Sequence, residues 1–147
     1  PEQEIVSALH RGSDGRVFIH DGTGRYVGSV SAFAGTVGAL SVTTMDVDQN
    51  GIDELVVGSG AGHSPQISVY TSSGEERQRF FTLPVSFLGG VELSAGDIDG
   101  NGMDELYITP QTNGGPQVRI FDTQADVIGG FFVFDVTNRF GSSVAIW

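Results

Sequence analysis

Short runs of alternating apolar and polar residues recur along this chain. Val17 and Ile19, Ile67 and Val69, and Val118 and Ile120 each occupy every second position of a run. That period of two places them on one face of a strand, with the intervening residues on the other. Asp21-Gly22 and Ser73-Gly74 follow such runs directly and mark hairpin turns. No apolar stretch of useful length repeats at 3.6 residues, so the pattern predicts an all-β chain.

The runs belong to a longer repeat. Asp46-Val-Asp-Gln-Asn-Gly-Ile-Asp-Glu-Leu55 aligns with Asp97-Ile-Asp-Gly-Asn-Gly-Met-Asp-Glu-Leu106, an offset of 51 (97 − 46). Gln66–Tyr70 aligns with Gln117–Phe121 at the same offset, and Arg16–His20 precedes Gln66–Tyr70 by 50 (66 − 16). Phe80-Phe81 aligns with Phe131-Phe132. Leu40 and Val91 are aligned with Val144, and Val42 and Leu93 with Ile146. Each repeat holds four predicted strands, like Leu40–Met45, Glu54–Val57, Gln66–Thr71 and Arg77–Leu83. Four antiparallel strands in roughly 50 residues match one blade of a β-propeller, and such sheets stack because neither face can stay bare. A β-sandwich is the competing all-β arrangement, but it needs no such period.

The repeat divides the single domain 1–147 into 1–39 (strands two to four of a blade), 40–90, 91–143, and 144–147 (the start of a next first strand). Twelve strands, or about three blades, are expected. Closed propellers hold about four to eight. Two outcomes follow: a homodimer completing a six-bladed ring, with Phe140–Trp147 closing the partner's first blade, or a fragment of a longer chain. Pro1 opens in a strand-like segment with no leader pattern, which reads as an excised or processed piece.

Charge adds chemistry. The net charge is −11, with no Lys and seven Lys or Arg in total, all Arg. Such a surface repels phosphate backbones, so nucleic acid is not an expected partner. No run approaches the ~18 apolar residues of a membrane helix, so no membrane insertion is expected. Cys is absent, which excludes disulfides and thiolate chemistry. Eight of the eighteen acids fall in the two aligned loops.

Numbered from the first Asp, those loops carry Asp46, Asp48 and Asn50, or Asp97, Asp99 and Asn101, at positions 1, 3 and 5. Gly stands at position 6. Ile52 or Met103 at position 7 offers a backbone carbonyl, and Glu54 or Glu105 stands at position 9. Alternating oxygen donors around a Gly turn suit Ca2+, which takes about six to eight oxygens; Mg2+ prefers octahedral geometry with retained waters. Position 12 is Val57 or Ile108, so neither loop is an EF-hand. Two Ca2+ sites are expected. Asp53 and Asp104 are expected at the surface or supporting the ligands. The bland alternative is a polar Asn-Gly hairpin with incidental acids.

These residues resemble the FG-GAP or VCBS repeats, the blades of integrin α-subunit propellers and of many bacterial surface proteins. Leu93–Leu106, Phe140–Val144 and Gly114–Asp122 carry the resemblance. It implies a propeller, calcium held by the ten residues just named, a location outside the cell, and a protein or glycan partner. Glu replaces the Asp usual in integrins at position 9. It also implies that the face opposite the calcium loops binds partners. That face is expected to hold His10–Gly15, Gly58–Pro65 with His63, Pro84–Gly90, Thr109–Pro116 and Val136–Ser142. Phe80, Phe81, Phe87, Phe131, Phe132, Phe134 and Phe140 are expected between blades. No nucleophile elbow, phosphate loop or zinc motif is present, so the chain is not expected to be an enzyme. A purely structural self-assembling module, or part of a polysaccharide-active propeller enzyme, remain the alternatives.

Overall fold

The computed structural model describes residues 4–9, 14–35 and 38–146. It holds eleven antiparallel strands and no helix among these residues. A first sheet joins β1 (Glu4–Ala8), β2 (Arg16–Asp21) and β3 (Tyr26–Ser31). A second joins β4 (Ser41–Met45), β5 (Glu54–Gly58), β6 (Gln66–Tyr70) and β7 (Glu76–Phe81). A third joins β8 (Val91–Gly96), β9 (Glu105–Pro110), β10 (Gln117–Phe121) and β11 (Val127–Phe132). Each sheet is a meander in sequence order, so every neighbouring pair is a hairpin.

The repeat read from the sequence is present in the ladders. Val17 faces Val30, Ile67 faces Phe80, and Val118 faces Phe131. All three hairpins carry an irregularity at the same place, after Ile19, Val69 and Ile120. The turn that follows needs a left-handed residue, supplied by Gly24 at φ 86°, Gly74 at φ 83° and Ala125 at φ 66°. Asp21 braces the first of these turns, accepting from the hydroxyl and amide of Thr23 and the amide of Arg25. Those bonds, the Thr23 hydroxyl foremost, hold its carboxyl down to about 2.

The sheets pack in succession. Val17, Val30 and Phe33 of the first meet Leu55, Val57 and Tyr70 of the second. The opposite face of the second, with Met45, Val56, Ile67 and Val69, meets Leu93, Leu106, Ile108 and Phe121 of the third. Covered on both sides, β5 is buried throughout. Each Val, Leu or Ile so buried contributes about 1.5–3 kcal/mol. Arg79 ties the first junction together, donating to the Ala32 carbonyl at 3.0 Å and lying 4.9 Å over the Phe33 ring.

Three expectations need correction. Among the described residues eleven strands are present rather than twelve, because residues 141–146 enter no ladder. The alignment of Val144 with Val91 is also displaced. The Ser142 amide donates to the Pro110 carbonyl as the Val91 amide donates to Ser59, so Ser142 holds the Val91 position at the unbroken offset of 51 (142 − 91). The apolar pairing of Val144 with Val91 had forced a two-residue gap that the backbone does not contain. Finally, the phenylalanines are not a common core. Phe80 packs 5.7 Å from the Phe121 ring, but Phe81, Phe131, Phe132, Phe134 and Phe140 are exposed. Phe81 follows Phe80 and points to the other side of its strand. Phe131 takes the Phe80 register on the outer face of the third sheet, where no described sheet covers it.

Ala125 pays for its left-handed turn where its two counterparts are Gly. Ala125→Gly should stabilise the chain by about 1 kcal/mol, a net of relieved strain and added backbone entropy. A chemical-denaturation midpoint unchanged or lowered would contradict that assignment of strain.

Candidate metal centres

The two acidic loops are the β4–β5 and β8–β9 connections. Register puts their last acid in place: Glu54 opens β5 opposite Met45, the last residue of β4, and Glu105 opens β9 opposite Gly96. Each Glu is therefore held by a ladder at the base of its loop. Both are buried, at 3% and 5% exposure. Glu54 Oε2 accepts from the Val47 amide at 2.9 Å, and Glu105 Oε2 from Ile98 at 3.3 Å.

The first Asp organises the rest of the loop. Asp46 accepts from the amides of Asn50 and Gly51, and Asp97 from those of Gly100, Asn101 and Gly102. This wrapping needs left-handed residues at positions 4 and 6, which are Gln49 and Gly51 or Gly100 and Gly102. The Asn50 and Asn101 side-chain oxygens accept from the amides of Ile52 and Met103, both at 2.7 Å.

As a result, one carboxylate oxygen from each of Asp46, Asp48 and Glu54 lies within 4.8 Å of the others, and so do those of Asp97, Asp99 and Glu105. Each triad could hold a metal ion. The donors are all oxygen and carry three negative charges, a set suited to a hard cation and not to a thiophilic one. Asn50, Asn101, Ile52 and Met103 lie in the same loops; Ile52 and Met103 turn their side chains to solvent. Asp104 reaches across to the neighbouring loop, where its Oδ2 accepts from the Asp46 amide at 3.4 Å.

Sequence reading missed two differences between the loops. Arg77 Nη1 contacts Asp48 Oδ2 at 2.6 Å from strand β7, whereas the matching residue of β11, 51 later, is Ile128. The Tyr107 hydroxyl donates to Glu105 Oε2 at 3.5 Å, whereas the matching residue of β5 is Val56. Burial pushes the Tyr107 phenol above its ordinary range, and the charge of Glu105, then of Asp99 and Asp97, adds to the shift. The exceptions to the repeat, Arg77 and Tyr107, were visible as substitutions at offset 51; their reach to the loops was not.

At the other end of the strands, the loops after β7 and β9 form a cleft of about 410 Å³, walled by Pro84, Phe87, Pro110, Gly114, Gln117 and Phe132 among others. This brings together parts of Pro84–Gly90 and Thr109–Pro116. His63 bonds through Nδ1 to the Ser64 carbonyl at 3.0 Å and packs 5.3 Å from the Phe33 ring, a structural role. His10 lies outside the described residues, as do residues 11–13 of the expected His10–Gly15 loop. No protein-family model matches the chain, and no curated protein matches it.

Glu54 serves as a hydrogen-bond acceptor as well as a charge. Glu54→Ala should lower stability in chelator by about 1–3 kcal/mol, because the Val47 amide loses its acceptor. Glu54→Gln keeps an oxygen there and relieves repulsion from Asp46 and Asp48, so it should lose less. Denaturation in chelator compares the two; equal losses would show that the Val47 bond contributes nothing.

Proposed function

We propose that this chain is a calcium-stabilised β-propeller module, its three sheets serving as blades, with a structural or binding role outside the cell. The observation that carries this reading is the pair of carboxylate triads, each at the tip of the inner hairpin of its sheet, in matching register at an offset of 51 (97 − 46). An incidental polar turn does not need one buried glutamate beside two aspartates in each of two copies. The FG-GAP or VCBS resemblance supports the same assignment.

In this reading Asp46, Asp48, Asn50, Glu54 and the Ile52 carbonyl bind one Ca2+. Asp97, Asp99, Asn101, Glu105 and the Met103 carbonyl bind the other. Each ion offsets three crowded carboxylates, and binding to the folded state alone adds stability by mass action. The chemistry is structural: no residue here is assigned a catalytic step. Recognition of a protein or glycan falls to the opposite end, where the Phe87 and Phe132 cleft presents aromatic surface.

Thermal melting tests the metal. With calcium at a hundred times its dissociation constant, each site should add about 2.7 kcal/mol, and chelator should lower the melting temperature. Magnesium at equal concentration should add less. Identical melting curves in calcium and in chelator would sink the proposal.

Arg77 makes the two sites unequal, since it must give up Asp48 or share it. Arg77→Gln should tighten calcium at the first loop by about twofold to fivefold, the worth of a surface ion pair. Titration calorimetry resolving no change, or weaker binding, would show that the pair does not compete.

A further inference from the structure

The eighth position of each acidic loop is also Asp, Asp53 in one and Asp104 in the other, and neither belongs to a triad. Their surroundings differ. Asp53 is exposed, whereas Asp104 is half-buried and its Oδ2 accepts from the Asp46 amide at 3.4 Å. That bond crosses from the third sheet to the first residue of the other acidic loop.

Asp46 is the residue around which its loop is wound. Its carboxylate accepts from the Asn50 and Gly51 amides and supplies one oxygen of the triad. The next amide, that of Val47, is held by Glu54 Oε2 at 2.9 Å. Successive amides at the loop entrance are thus held by two carboxylates. One comes from the ninth position of the same loop, the other from the eighth position of its neighbour. The Val47 side chain packs against the cluster that Leu106 and Phe121 of the third sheet share with Met45 and Val56. The entrance to the first acidic loop is therefore tied to the third sheet by a hydrogen bond and by apolar contact.

Asp104 stands between Met103 and Glu105, the two residues of its own loop that would face an ion through a carbonyl and a carboxylate. Fixing both neighbours restricts the backbone that carries Asp104, so its bond to Asp46 then costs less ordering. We propose that Asp104 is a positioning residue that couples the two metal loops, so that filling either one tightens the other. This deepens the calcium reading and rests on it. The coupling is reciprocal, as linkage requires, and should be about threefold to tenfold, the worth of one hydrogen bond.

Calcium titration calorimetry on the whole chain measures it. Two one-site variants supply the uncoupled constants: Asp97→Asn with Asp99→Asn, and Asp48→Asn with Glu54→Gln. Each pair leaves its triad with a single negative charge. Three carboxylates holding one doubly charged ion carry the same charge, so repulsion between the loops is matched in the comparison. The product of the two stepwise association constants of the unaltered chain should exceed the product of the two one-site constants by about threefold to tenfold. In Asp104→Ala the excess should vanish. Asp104→Asn keeps an acceptor oxygen for the Asp46 amide and should keep the excess. Asp53→Ala, at the same position of the other loop, should keep it too.

Hydrogen exchange gives a second arm that needs no change at Asp104. In the chain carrying Asp48→Asn with Glu54→Gln, calcium fills only the second loop, yet it should slow exchange at the Asp46 amide. Equal products, an excess that Asp104→Ala retains or that Asp104→Asn or Asp53→Ala abolishes, or an Asp46 exchange rate unmoved by calcium would each overturn the coupling. Two ions bound independently would overturn it and leave the calcium reading in place; no bound calcium would overturn both.

Discussion

A sheet with two apolar faces cannot leave either of them to water. The second sheet shows the constraint most fully: alternate residues of β5 and β6 go to the first sheet and to the third, and β5 has no exposed residue. A strand normally buries every second side chain; here every residue of β5 is buried, and polarity is pushed to the edge strand β7 and the loops. Stacking is therefore the condition for the fold rather than a consequence of it. It also explains why Ile5 and Phe131, on the outermost faces that no described sheet covers, are half exposed.

The same stacking presents the acidic loops. The β4–β5 and β8–β9 ladders set each loop at the same end of its own sheet. They also fix Glu54 and Glu105 at the base, where burial and a backbone amide hold the carboxylate. The free part of each loop is wound around its first Asp, through two left-handed positions. Carboxylates arranged in this way repel one another unless a cation is present, so the scaffold and the proposed ion support each other. Asp104, reaching from one loop to the Asp46 amide of the next, links the loops of neighbouring sheets.

Much of this was legible in the sequence. Period-two alternation found the strands, and an offset of 51 found the sheets and the loops because identical backbone tasks selected similar residues. The triads were legible for the same reason: a carboxylate at positions 1, 3 and 9 survives in both copies. What failed has physical causes. The phenylalanines share hydrophobicity but not facing, since neighbours on a strand point apart and Phe131 faces outward from the last sheet. The tail was misaligned because Val144 resembles Val91 more than Ser142 does, while the backbone hydrogen bond depends on position and not on the side chain. Arg77 and Tyr107 act on the loops from another strand or from beyond the loop, a relation carried by register and rotamer that no spacing encodes.

The two triads are proposed to bind calcium, one ion each. Counting calcium retained per chain after equilibrium dialysis against micromolar calcium tests it most directly. Two ions per chain are expected, and one when Asp97 and Asp99 are both replaced by Asn. No retained calcium, or a count that these replacements leave unchanged, would contradict it.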